Sequence, residues 1–165
     1  MTVREIRLYG DPVLRSECEQ VQNLEAVRSL VQDLVETTSL PGRAGVAANQ
    51  IGVDLRVFAY NIKGEIGYLI NPEITSLSGE LVLMEEGCLS IPGLWHPTPR
   101  YENATAQGLQ LDGSVKTISG TGLMAQAIQH ECDHLDGKVY LQRLEPQERK
   151  VAMGLLRQQS WFRSN

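Results

Sequence analysis

Apolar residues recur along this chain with two different spacings, and the switches between them predict its elements. Between residues 24 and 38 they fall every three to four positions, with Val27, Leu30, Val31 and Leu34 on one side, the pattern of a helix with one buried face. Asn23 is placed to cap that helix and Pro41-Gly42 to end it. Small residues from Gly42 to Gly52 read as a loop. Beyond them, short apolar or alternating runs predict strands near 55–60, 67–71, 80–84, 104–111 and 114–118, the last two joined by an Asp112-Gly113 hairpin turn. Helical spacing returns over 122–136, where Leu123, Ala127, His130 and His134 form one stripe, with Ser119 or Thr121 as cap and Gly137 as stop. Glu145-Pro146 opens a predicted C-terminal helix to about residue 160, with Val151, Leu155 and Trp161 as its apolar contacts. The expected fold is α+β: mostly antiparallel sheets packed around a central helix that carries two histidines, with an N-terminal helix and a C-terminal helix. No repeat, linker or low-complexity segment interrupts the chain. Residues 1–165 are therefore expected to form a single domain, with 146–165 as C-terminal helix and tail.

Composition narrows the function more than the fold. A chain of 165 residues with 42% hydrophobic content can bury a real core. The net charge of −5 argues against direct DNA binding, which needs clustered Lys and Arg to neutralise phosphate. Three cysteines without regular spacing do not make a disulfide framework, and neither an apolar leader nor a membrane-length apolar run is present in the sequence. These features predict a soluble protein of a reducing cytoplasm, with no membrane association.

The chemistry concentrates in His130-Glu131-Cys132-Asp133-His134. Residues four apart on a helix differ by about 40° around its axis. The two imidazoles therefore share a face and can hold one metal ion, with Glu131 beside them as a base for an activated water. A catalytic site then needs a third protein ligand. The arrangement HExxHxxGxxH fails at its last position, where Tyr140 stands, and Glu145 and Glu148 are the downstream glutamates that a different arrangement could use. Cys132 lies about 200° around the helix from each histidine and is expected in the core; Cys18 reads as structural. His96 sits in the proline-rich stretch LWHPTP, expected to be a surface loop. Cys88, in Glu86-Gly87-Cys88-Leu89-Ser90 after a candidate strand, would on spacing alone be a structural cysteine. In company with the two histidines it is the favoured third ligand, because a thiolate is a strong soft donor and Gly87 would let the backbone come close.

Three segments in order, Arg43-Ala44-Gly45-Val46-Ala47-Ala48-Asn49-Gln50, Glu86 to Ser90 and Gln129 to His134, resemble the peptide deformylase motifs GxGxAAxQ, EGCLS and QHExDH. GDPVLR (10–15), INPEI (70–74) and HLDG (134–137) are also similar to that family, so the resemblance extends from Ile6 to Leu144. It implies removal of the formyl group from N-formylmethionyl nascent peptides, with release of formate. It also implies one divalent metal ion held by Cys88, His130 and His134, Fe(II) natively, with Zn, Ni or Co able to substitute. Glu131 would be the general base, and the Gln50 side-chain amide with the Leu89 backbone N–H would stabilise the oxyanion. The methionine side chain would occupy an apolar pocket faced by Leu123 and Ala127, with Ala44, Gly45, Val46, Met84 and Glu86 along the substrate. In part of the family a C-terminal helix helps recruitment to the ribosome, which Arg149, Lys150, Arg157 and Arg163 would serve here. A helix packed on its own domain with a solvated outer face is the plainer reading.

Arg43 departs from the family pattern by replacing its first glycine. Either Arg43 is strained at positive φ, or Gly42 takes the turn and Arg43 reaches toward the cleft mouth. Trp95 is open between an exposed cleft wall and core, and Asp133 and Gln129 between orienting ligands and solvated positions. Three competing functions remain at this point. One is a metallohydrolase acting on another amide, and another a binding module without activity. The third is a structural zinc site drawing a fourth ligand from Cys18, Cys132 or His96.

Overall fold

The computed structural model describes residues 2–163, so Ser164 and Asn165 of the expected tail lie outside the described residues. The apolar and alternating runs of mid-chain form five strands: β1 (Gly45–Ala47), β2 (Val57–Ile62), β3 (Glu65–Cys88), β4 (Ile91–Leu109) and β5 (Val115–Thr121). They pair antiparallel in the order β1-β2-β3-β4-β5. The class is α+β as expected, but with one continuous sheet among the described residues rather than several.

The largest difference from the predicted pattern is the length of the β3–β4 hairpin. The runs expected as separate strands at 67–71 and 80–84 are two parts of β3, and LWHPTP lies inside β4 instead of in a surface loop. Register shifts at Ile70/Glu73, Ile74/Ser76, Ser78/Leu81 and Glu86/Cys88 are bulges that bend the paired strands without ending them. Asn71 supports the first shift. It adopts φ 50°, a conformation Asn tolerates better than most residues, and its amide pairs with both backbone groups of Val21. Between Ile91 and Tyr101, β4 pairs with β3 alone among the described residues, so Pro97 and Pro99 sit on a sheet edge, where a missing N–H is tolerated.

Helix α1 (Arg28–Thr38) follows a 3₁₀ turn at Glu25–Val27, whose first N–H is accepted by Asn23 Oδ1 at 3.0 Å. Val27, Val31 and Leu34 face a core shared with Val46, Val57 and Ile70, while Leu30 is only partly covered. Helix α2 (Gly122–Leu135) lies on the other layer, where Ala125, Ile128, Cys132 and Leu135 pack against Phe58, Tyr60, Leu69 and Ile118. Thr121 occupies its N-cap position without a side-chain capping bond, and Gly137, at φ 77°, lets the chain turn away after the last helical turn.

Helix α3 (Pro146–Leu156) stops short of the predicted end, and a short α4 (Ser160–Arg163) follows. Its inward residues are Ala152 and Leu156, with Val151 and Leu155 exposed, one residue out of phase with the expectation. Val151-Ala152 and Leu155-Leu156 are adjacent pairs four apart, so periodicity cannot choose which member faces in. Packing against Ile91, Leu94, Tyr140 and Leu141 makes that choice, with Trp161 against the same cluster. Among the described residues, no helix is long and apolar enough to cross a membrane.

Candidate functional site

One turn of α2 brings His130 and His134 together, with their Nε2 atoms 3.2 Å apart. Cys88 arrives from the end of β3, just past the Glu86/Cys88 bulge, and its Sγ lies 3.3 Å from His134 Nε2. The three donor atoms lie within 4.8 Å of one another. Metal–nitrogen and metal–sulfur bonds of ordinary length separate tetrahedral ligands by about 3.4–3.6 Å, so this donor set fits a single first-row divalent cation. Among the described residues the group has three members, the count of an open catalytic site and not of a four-ligand structural one. Cys132 is buried in the core, as its helical phase predicted. His96 is buried too, contrary to the surface-loop expectation, and its Nδ1 lies 2.9 Å from Glu148 Oε1 on α3. The inward register of β4 turns it away from solvent. Tyr140, which stands at the failed third-histidine position, lies over His130 with ring centroids 6.5 Å apart.

A buried charge network orients the first histidine. Glu86 Oε2 sits 2.7 Å from His130 Nδ1, which directs Nε2 toward the other two donors. Arg100 holds Glu86 with two hydrogen bonds of 2.9 and 2.6 Å and donates a third, of 2.7 Å, to Asp133. Arg143 closes the other side of Asp133. Burial works to raise the Glu86 pKa, but the bonds from Arg100 and His130 outweigh it and hold the carboxyl down at about 2. Arg100 was not anticipated. Its signal is strand alternation, because His96, Thr98 and Arg100 all point inward, and that pattern is readable only once LWHPTPR is taken as a strand. Asn49 was missed as well; its Nδ2 donates to the His134 carbonyl at 2.6 Å.

Glu131 is buried, and its Oε1 has no partner among the described residues. The carboxylate packs against Gly45, where a Cβ would come within 2.5 Å of Oε2, so any other residue at 45 would displace that carboxylate. Burial, opposed in part by the neighbouring charges of His130 and Arg100, pushes the Glu131 carboxyl up to about 7. The two imidazoles split. Burial lowers both, but Cys88, Glu86 and Glu131 lift His130 well above the usual histidine value, whereas burial and the charge on His130 hold His134 well below it. Gln50, in the 3₁₀ turn Ala48–Ile51, accepts the Ala47 N–H through Oε1 at 2.9 Å. Its Nε2 donates to Ser90 Oγ at 3.1 Å and lies 3.7 Å from Cys88 Sγ, so the amide is oriented with its donor toward the Cys88 thiol.

These groups open into a cleft of about 550 Å³ lined by Ala44, Gly45, Gln50, Glu86, Leu89, Leu123 and Ala127, among others. Val46 and Met84, expected along the substrate, are not in the lining. Val46 alternates with Gly45 on β1 and turns to the opposite side, wholly buried under α1. Met84 lies opposite Thr98, farther along β3 than the cleft reaches. Glu86 borders the cleft but its carboxylate is committed to Arg100 and His130. The Arg43 alternative resolves toward its second form: Gly42 carries the positive φ of 82°, and Arg43 lines the cleft mouth, donating to the Thr37 carbonyl at 3.0 Å. Trp95 is an exposed wall of the cleft and not core. Gln129 and Asp133 are buried partners of the strand and of the charge network, not solvated positions.

Known proteins resemble this chain along nearly its whole length. The peptide deformylase of Acidothermus cellulolyticus is 46% identical over 162 residues, covering 98% of this chain and 89% of that protein. Peptide deformylase 1 of Corynebacterium glutamicum is 44% identical over 167 residues, covering 98% and 99%. The crystal structure of the peptide deformylase from Thermus thermophilus superposes with a TM-score of 0.88 at 36% identity, covering 94% of each chain. The model of the polypeptide deformylase family matches residues 3–150, and the chain belongs to that family.

Proposed function

We propose that this chain is a peptide deformylase that removes the formyl group from N-formylmethionyl nascent polypeptides and releases formate, acting as one catalytic domain in the cytoplasm. The observation that carries the reading is the convergence of Cys88, His130 and His134 beside a buried carboxylate with an unpartnered oxygen, at the floor of an open cleft. Cys88, His130 and His134 would hold a divalent cation, which we take to be Fe(II) natively with Zn, Ni or Co able to replace it, and which when bound would supply Lewis acidity toward a water and the formyl carbonyl.

Glu131 accepts the proton of the attacking water, and its raised pKa suits a group that must later give the proton to the leaving amine. The Gln50 amide and the Leu89 backbone N–H stabilise the charge that grows on the formyl oxygen. A donor already held in place contributes about 3–4 kcal/mol to such a step, and Ala47 and Ser90 hold the Gln50 amide in advance. Leu123 and Ala127 give the methionine side chain an apolar surface. Ala44 and Gly45 leave room for the peptide backbone.

Formate release from formyl-Met-Ala-Ser, by protein purified anaerobically with Fe(II), tests the reading beside acetyl-Met-Ala-Ser and a Glu131→Ala control. Turnover of the formyl peptide that disappears in the control is expected. Turnover of the acetyl peptide alone, or none by metal-loaded protein, overturns it. Recruitment to the ribosome is assigned to the outer face of α3, where Arg149, Lys150 and Val151 are exposed. Arg149→Glu with Lys150→Glu should reduce co-sedimentation with ribosomes, and unchanged sedimentation removes that assignment.

A further inference from the structure

Tryptophan is a mostly buried residue type, yet Trp95 is 66% exposed. Its backbone is firmly held on both sides. Leu94 belongs to the core closed by α3, His96 is bonded to Glu148 of that helix, and the Pro92 carbonyl accepts a hydrogen bond from Trp161 Nε1 at 3.0 Å. The indole therefore projects from a fixed base. Its ring lies over Gly87, where a Cβ would come within 2.7 Å of two ring carbons, so it covers the backbone one residue before the metal ligand Cys88. Leu123, 44% exposed, lines the same cleft. A rigid aromatic surface thus stands at the rim, beyond the groups that would act on the formyl carbon.

We propose that Trp95 is a specificity-determining residue. Its indole is the platform for the side chain of the second or third residue of the formylated peptide and favours aromatic and large aliphatic side chains there over small ones. The proposal rests on the deformylase reading for the placement of the formyl group at Cys88, His130 and His134. An extended peptide advances about 3.3 Å per residue, so the residues after the methionine pass the ring that covers Gly87. Gly87 is required because a side chain there would push the indole from its seat.

The test compares kcat/KM for formyl-Met-Phe-Ser, formyl-Met-Ala-Phe and formyl-Met-Ala-Ser in iron-loaded wild type, Trp95→Ala and Trp95→Phe. Wild type should prefer phenylalanine at one of the two positions. Trp95→Ala should reduce that preference about five- to tenfold, the size of an aromatic contact with its burial, and Trp95→Phe should restore most of it. As a separate readout, titrating the product peptides Met-Phe-Ser and Met-Ala-Phe should shift the tryptophan emission of wild type, with no shift in Trp95→Ala. Equal preference ratios in all three proteins, or an emission shift that survives in Trp95→Ala, overturns the proposal. A wild type that releases no formate from any of the peptides overturns the deformylase reading instead. The emission titration then decides alone whether peptides dock on the indole.

Discussion

The two polar sides of α2 are both buried, but they treat their polar atoms differently. On the side of Gln129 and Asp133 every side-chain oxygen and nitrogen has a partner. Gln129 pairs with both backbone groups of Tyr101, and Asp133 receives Arg100 and Arg143. On the side of His130, Glu131 and His134, two buried atoms, Glu131 Oε1 and His134 Nδ1, have none among the described residues. A buried polar atom without a partner lowers stability, so natural folds keep few of them and concentrate them where chemistry needs them. One side of the helix is therefore fully paired within the fold and the other leaves polar atoms for the proposed reaction, although both read as polar in the sequence.

Substitutions on the two sides should separate activity from stability. Glu131→Gln should cut formate release by about 10²–10⁴-fold, the usual contribution of a positioned general base, without lowering the melting temperature. A variant that loses both together would erase the contrast. Arg100→Met should do the reverse first. It leaves Glu86 and Asp133 buried without their shared cation and should cost about 3–5 kcal/mol in urea unfolding. A loss within a few tenths would mean that the network is not the structural side at all.

Glu86 is the joint between the two sides, since it touches both Arg100 and His130. Glu86→Gln should weaken metal binding about 10–100-fold in a chelator competition. Asp133→Asn, equally buried but one step removed from the ligand, should weaken it much less, and equal losses would show that the network acts on the site only through stability. The smallest effect concerns the thiols. Burial, with help from Asp54 at Cys18 and Glu131 at Cys132, raises both from 9.0 to about 12. Iodoacetamide at pH 8, applied to chelator-treated protein and read by peptide mass mapping, should therefore modify Cys88 and spare these two. The sign is that of a group raised on folding. Their contribution to stability is complete below pH 9, where unfolded thiols are protonated, and is lost as pH rises through about 12.

The readable parts of this site were the local ones. His130 and His134 could be paired from their spacing because helix geometry carries residue i onto the face of residue i+4, and the core position of Cys132 followed from the same rule. The failures came where more than one arrangement satisfies the local pattern. Val151 and Leu155 alternate with Ala152 and Leu156 at equal spacing, and only the neighbouring core decides between them. LWHPTP carries two prolines and reads as a loop until an unshared sheet edge makes room for them. That single misreading hid Arg100 from view, put His96 at the surface and left Trp95 undecided, because strand alternation is what sorts the three into inward and outward positions.

The sequence by itself determined the family, the helix that carries His130, Glu131 and His134, and the chemistry those residue types can perform. Each of these depends on residue identity at short spacing, where backbone geometry is nearly invariant. Tertiary structure decided how Cys88, favoured from the sequence, is carried to the two histidines, how Glu86 and Arg100 orient His130, and which residues wall the cleft. Cys88 and His134 are 46 residues apart, and their meeting depends on the register of a bulged hairpin against a helix. A register shift of one residue on a strand turns every side chain to the other face, so the placement is set by long-range packing and not by local pattern.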